Sequence, residues 1–315
     1  MAGALLKNIG LTYLNLEHND IGDKSADLIG QALALNSSLQ TLVLDDNSIF
    51  DAVQLFTGLR SNSGLGAISI SGNFVGDDGV IAFSKALRDN KSLRSACLHD
   101  VDFGEHGARA LGDALRNNAS LQALDIGHNR FGENGVIFIA NGLANNQSLK
   151  ALNMSWNLIY DEGAVSLGNA ICKNASLEVL FLGDTGICHG SVNLANALMS
   201  NRSLNTLVLC CNRIKDDGAE SLSEALKVNT TLTILNLGTN EITDVGAEYL
   251  ANALLRNSDL KCLDLQHNWL DPERNATMFE KTLQANKTVE VLLWVKENVS
   301  FNYHWPTMAM PGLHD

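Results

Sequence analysis

Residues 232–257, LTILNLGTNEITDVGAEYLANALLRN, hold two periodicities one after the other. In LTILNLGTN apolar and polar side chains alternate, which is the period of a short strand with one buried face. In ITDVGAEYLANALLRN the apolar residues recur at threes and fours, so one stripe of an amphipathic helix is buried. Strand, turn, helix and turn therefore fit into fewer than thirty residues, too few to bury that much apolar surface without neighbours.

The neighbours are supplied by repetition. The opening leucine recurs as Leu11, Leu39, Leu65, Leu93, Leu121, Leu149, Leu177, Leu204, Leu232 and Leu260 and then as Val289, at spacings of 28, 26, 28, 28, 28, 28, 27, 28, 28 and 29. LTYLNLEHN at 11, LQALDIGHN at 121 and LKCLDLQHN at 260 repeat the strand half, and IKDDGAESLSEALKVN at 214 repeats the helix half. So constant a period marks a solenoid of units of about 28 residues. Asp161, Asp216 and Asp244 stand where the N-cap of a unit's own helix is expected. Asp271 does the same with Pro272 behind it.

Composition narrows the function. With 45% apolar residues the chain can bury a large core, and its formal charge of −13 opposes a phosphate backbone as partner. Neither nucleic acid nor membrane is an expected partner, because no apolar run approaches 18 residues and MAGALLKNIG lacks the features of a secretory leader. Cys97, Cys172, Cys188, Cys210, Cys211 and Cys262 show no zinc-like pairing and no disulfide framework, so a cytoplasmic, reducing setting is expected. The asparagines of the N-x-S/T sequences, including Asn118, Asn146, Asn174 and Asn201, fall at one phase of the repeat and read as structural.

These units resemble the ribonuclease-inhibitor type of leucine-rich repeat, which also occurs in the sensor regions of NOD-like receptors and in Ran GTPase-activating proteins. The resemblance runs from Leu11 to about Leu293. It implies an α/β solenoid, a horseshoe with a concave parallel β-sheet and convex helices, in about ten 28-residue repeats. Residues 1–10 then read as the end of a truncated repeat helix, 11–288 as the solenoid, and 289–315 as the last strand with a C-terminal cap or tail.

A residue's column now gives it a meaning. Asn19, Asn47, Asn73, Asn129, Asn157, Asn212, Asn240 and Asn268 hold the ninth position, where the strand turns away and backbone groups need partners, so they form a structural asparagine ladder. Val101 and Thr185 interrupt it. The fifth, seventh and eighth positions are expected to face solvent on the concave side, while the first, fourth and sixth enter the core. Asp100, His128, Trp156 and Asp184 then form one row, with Asp125, Asn153 and Phe181 beside it.

No nucleophile, phosphate-cradling loop or zinc-protease signature is present, and His99, Asp100, His128 and Asp125 follow the repeat, so no enzyme activity, cofactor or metal is expected. An indole flanked by carboxylates has the composition of a binding hot spot. The expectation is a monomeric, non-enzymatic protein-interaction scaffold or sensor region that grips a basic or mixed-charge protein on an acidic concave face. Asp45, Asp46, Asp100, Asp125, Asp184 and Asp264 would supply the field. The alternative is a GTPase-activating protein resembling the Ran regulator.

Overall fold

A computed structural model describes residues 2–294, in two compact units that meet in sequence between Asn153 and Met154. The first unit contains α1 (Ala2–Leu5), β1 (Tyr13–Asn15), α2 (Asp23–Leu33), β2 (Thr41–Val43), α3 (Val53–Ser61), β3 (Ala67–Ser69), α4 (Gly76–Asp89), β4 (Ser95–Cys97), α5 (Glu105–Asn117), β5 (Ala123–Asp125), α6 (Gly132–Leu143) and β6 (Ala151–Asn153). The second contains α7 (Tyr160–Lys173), β7 (Val179–Phe181), α8 (Ser191–Ser200), β8 (Thr206–Val208), α9 (Lys215–Leu226), β9 (Ile234–Asn236), α10 (Asp244–Leu254), β10 (Cys262–Asp264), α11 (Pro272–Ala285) and β11 (Val291–Leu293). The cap or tail expected at the C-terminus lies outside the described residues.

Within each unit the strands are parallel and follow chain order. Ser69 pairs with Cys97, Cys97 with Asp125 and Asp125 with Asn153; in the second unit Phe181 pairs with Val208 and Asn236 with Asp264. The fold is a leucine-rich-repeat solenoid. Fourth and sixth positions such as Leu42, Leu44, Leu124 and Ile126 are wholly buried against the helices. The helices in turn press backbone to backbone. A Cβ on Gly58 would lie 1.9 Å from the carbonyl oxygen of Gly30, so α2 and α3 meet at a distance that only glycine allows.

Two columns of buried asparagine hold the loops on either side of each strand. At the ninth position, Asn47 accepts the N–H groups of Asn19 and Ile21 at 3.0 and 2.8 Å and donates to the carbonyls of Leu16 and Leu44 at 2.8 and 2.9 Å. Asn129 and Asn268 bridge adjacent repeats in the same manner. Where Thr185 replaces asparagine, its hydroxyl donates to the Leu182 carbonyl at 2.9 Å. The second column is the N-x-S/T asparagine: Asn90 donates to the carbonyls of Leu59 and Asn62 and accepts the N–H groups of Ser92 and Leu93. Asn118, Asn146, Asn174 and Asn201 are likewise buried, so their amides are closed to a glycan.

The N-cap expectation is corrected. Asp161, Asp216 and Asp244 lie inside the first turns of α7, α9 and α10, and their carboxylates serve the next repeat's helix. Asp161 accepts the N–H groups of Cys188 and Gly190, Asp216 those of Thr243 and Gly246, and Asp244 that of Asp271. Stacking brings the unpaired N–H groups of the following helix over the carboxylate, where charge and helix dipole both favour the contact. Asp271 does cap its own helix, accepting from Arg274 N at 2.8 Å.

Candidate binding face

The sheet face turned away from the helices is built from a buried floor and an exposed rim. The floor is the fifth position. Asp125, Asn153, Val208, Asn236 and Asp264 are all buried there, and Phe181 is half-buried. Alternation gave the right face and said nothing about depth: each side chain has neighbours on strands about 4.8 Å away on either side and shares its surface with them. Polar residues survive in the floor because they are bonded. Asp125 Oδ1 accepts the N–H of Gly127 at 2.8 Å and Asp125 Oδ2 accepts Asn153 Nδ2 at 3.0 Å. Asp264 and Asn236 accept the N–H two residues on in the same manner, a local turn that aspartate and asparagine favour.

The rim is the eighth position. His18, Asp46, Gly72, Asp100, His128, Trp156, Asp184, Cys211, Thr239 and His267 all have left-handed backbone, with φ between 50° and 64°. Each of these is exposed except Gly72, and Trp156 shows 53% of its surface. The N–H at this position still continues the sheet, as Asp100 N donates to Gly127 O at 3.1 Å, Trp156 N to Gly183 O at 2.8 Å and Asp184 N to Cys210 O at 2.9 Å. The left-handed residue then turns the chain so that the ninth-position asparagine points inward.

Among the expected site residues of the first unit, His128 Nδ1 lies 2.9 Å from Asp100 Oδ1, whereas Asp125 is paired with His99, Nδ1 to Oδ1 3.5 Å. The His99 and His128 rings stack at 5.9 Å. Burial disfavours the charged His99, yet its hydrogen bond to Asp125 and the charges of Asp125, Asp100 and Asp45 outweigh that and raise its pKa. Asp45 is buried, accepts Ser69 Oγ at 2.5 Å and Ser71 N at 2.8 Å, and is pushed up to about 6 by desolvation. The exposed carboxylates here are therefore Asp46 and Asp100 rather than Asp45 and Asp125. Half-buried Glu17 and exposed His18 and Asp46 also bring ligand-type atoms within 4.8 Å of one another, at ion-pair distance. In the second unit Trp156 and Asp184 stand exposed on the rim above the half-buried Phe181.

A column beyond the strand escaped the sequence reading. The residue after the ninth position, the tenth, is exposed in Phe74, Asp102, Arg130, Leu158, Arg213 and Trp269. Arg130 Nε lies 2.8 Å from Asp102 Oδ1, and the ring of Phe74 stacks on exposed Phe50 at 5.8 Å. The signal was an alternation of outward residues about an inward asparagine, continuing past the end of the strand. Among the described residues no helix is long and apolar enough to cross a membrane.

A family model described as Leucine Rich repeat matches residues 7–30, 117–140, 145–168, 200–223, 228–251 and 256–273. No curated protein matches the chain significantly. Among solved structures, an internalin (inlF) from Listeria monocytogenes is 19% identical, with 94% of this chain and 84% of that one covered and a TM-score of 0.55. The leucine-rich repeat domain of APL1B is 15% identical over 85% of this chain and 73% of its own, with a TM-score of 0.48. Actin-Binding Site 2 of Leiomodin-1 is 21% identical over 49% of this chain and 88% of its own, with a TM-score of 0.43.

Proposed function

We propose that this chain is a non-enzymatic protein-interaction scaffold or sensor region, and that it binds its partner through the exposed eighth and tenth positions. The observation that carries this reading is the division of labour about the ninth position. The asparagine is buried and fixes the loop, and the residues flanking it point outward from a backbone that is already set. A surface whose side chains are varied while its backbone is constant suits protein recognition, because little ordering remains to oppose binding. Leucine-rich repeats commonly serve that purpose, and the scaffold by itself does not name the partner.

In this reading Trp156 is the aromatic anchor of the second unit, with Asp184 as a polar contact and Phe181 in its floor, while in the first unit Asp100 and His128 are the polar contacts, with Asp125 and Asn153 in the floor. The partner is a protein of basic or mixed charge. Exposed Asp46, Asp100 and Asp184 attract it, and His18 beside Asp46, His128 beside Asp100 and Arg130 beside Asp102 make the surface mixed rather than uniformly acidic.

The test is affinity capture with the wild-type chain and, in parallel, with the Trp156→Ala and Asp100→Ala/Asp184→Ala variants, each first shown to be folded. A partner retained by the wild type and lost by the variants supports the reading. Equal capture by all three removes the face from consideration, and acceleration of GTP hydrolysis by a captured small GTPase would replace this reading with the GTPase-activating one.

A further inference from the structure

Asn62 follows Asn47 by 15 residues where Asn90 follows Asn73 by 17, so the helix half of this repeat is two residues short. The loss falls at the start of the helix: α3 holds nine residues against fourteen in α4, and Phe50, Asp51 and Ala52 replace a first turn. A second departure lies six residues before the buried loop asparagine. Gly30, Ser84, Gly112 and Ala140 are small there, and the corresponding residue of α3 is Phe56. Small side chains in that column let the next helix approach, as Gly30 admits Gly58. Phe56 instead is a fully buried ring that meets Phe83 of α4 edge-on at 5.2 Å and holds the two helices apart.

The result is an open groove of about 490 Å³ between α3 and α4. Phe56 and Ala86 form its buried floor, and its wall on α4 is Asp78, Ile81, Ala82 and Lys85, spaced by three and four along one stripe. Phe50, exposed and stacked on Phe74, stands at the end where the helices begin. The charges are divided between the two ends. Asp51 and Asp78 lie near the beginnings of the helices, Arg60 and Lys85 nearer their ends. Arg60 is paired with Asp89, whereas Asp78 and Lys85 are exposed and make no ion pair among the described residues.

We propose that this groove is a docking site for an amphipathic helix of a partner protein, one that carries a cation for Asp78 and an anion for Lys85 on the flanks of its apolar stripe. A trough between two helices, lined at intervals of three and four, is the shape that the apolar stripe of a third helix fits. The charges select the helix. Asp78 and Lys85 are seven residues apart on α4, about 10 Å along its axis, so the partner's two charges sit two turns apart. A uniformly basic or uniformly acidic helix would bring like charge to one end. The groove is built from helix residues, apart from the rim, so this site and the rim stand or fall separately.

The experiment uses three fluorescein-labelled, alanine-rich helical peptides with leucines at i, i+3, i+4 and i+7, flanked by two charges seven residues apart: one Lys and one Glu, two Lys, or two Glu. Fluorescence anisotropy with the full chain at physiological salt should show saturable binding of the mixed peptide, about threefold tighter than either like-charged one, because an exposed ion pair is worth a few-fold. Lys85→Glu should shift the preference to the two-Lys peptide and Asp78→Lys to the two-Glu peptide. Ile81→Glu, with its melting temperature checked against wild type, should weaken all three about tenfold or more. Failure of the mixed peptide to saturate by about 1 mM overturns the proposal. So does a preference that ignores the two charge reversals, or Ile81→Glu binding as wild type does. Loss of peptide binding in Trp156→Ala would put the peptides on the strand face and overturn it as well. Self-association of the wild type that Ile81→Glu abolishes would make a second copy the occupant and replace the partner helix.

Discussion

Asp77 Oδ1 accepts the backbone N–H of Gly107 at 2.8 Å and that of Gly104 at the same distance, so a carboxylate in the first turn of α4 closes the first turn of α5, one repeat away. A hydrogen bond to a charged group is worth roughly 1.5–3 kcal/mol, and here its loss leaves two N–H groups partly buried. Asp77→Ala should cost about 2 kcal/mol of stability and speed amide exchange at Gly104 and Gly107 before it affects α4. Asp78→Ala, whose side chain is exposed, is the control and should lie within about 0.5 kcal/mol of wild type. Equal exchange at Gly107 in both variants would refute the inter-repeat cap.

The same relationship shows what the sequence could and could not reveal. Period, strands, helices and core columns were legible because each is a local pattern repeated many times. The destination of an aspartate was not. A periodic sequence fixes the phase of Asp216 but looks the same when shifted by one repeat, so nothing local says whether it caps its own helix or the next. Depth was hidden for a related reason: alternation assigns Asp125 to the open face, and only the neighbouring strands bury it there. Trp156 was legible as an outward residue, while its left-handed backbone was not, since tryptophan carries none of the preference that glycine, asparagine or aspartate would signal.

Close helix contact makes Gly58 sensitive to a single methyl group. Its added Cβ would meet the Gly30 carbonyl at 1.9 Å, whereas one on Gly66 would meet nothing nearer than Gln40 O at 3.6 Å. Overpacking of this kind costs about 1–3 kcal/mol. Gly58→Ala should therefore lower the urea midpoint clearly, and Gly66→Ala should shift it little. A neutral Gly58→Ala would mean that α2 and α3 can separate freely.

Stability should carry a pH signature from Asp45. Burial holds its folded pKa at about 6, above the ordinary 3.8, with the charges of Glu17 and Asp46 adding to the shift and Ser69 and Ser71 opposing it. Between those values the folded state keeps a proton that the unfolded chain releases, so this group lowers stability as pH rises through the window and keeps it lowered above. Two units correspond to about 3 kcal/mol at most. Asp45→Asn should be more stable than wild type at pH 7, with the difference shrinking toward pH 4 in urea titrations. A difference independent of pH would show that Asp45 ionises as freely folded as unfolded.

The final prediction concerns Trp156, which is 53% exposed at φ 56°. Trp156→Ala keeps the left-handed backbone and removes a largely exposed ring, so unfolding free energy should stay within about 0.5 kcal/mol of wild type. Trp156→Gly removes the steric cost that an L-residue bears there, about 1 kcal/mol, and should be at least as stable as Trp156→Ala. Both should weaken partner binding by on the order of 2 kcal/mol or more, as truncation of a central aromatic anchor does. Leu152→Ala, in a wholly buried fourth position, supplies the contrast and should lose about 2–5 kcal/mol of stability. Urea unfolding and calorimetric titration of a captured partner separate the roles. If Trp156→Ala loses stability as Leu152→Ala does, the indole is packing; if it keeps both stability and affinity, the rim of this repeat is not where the partner sits.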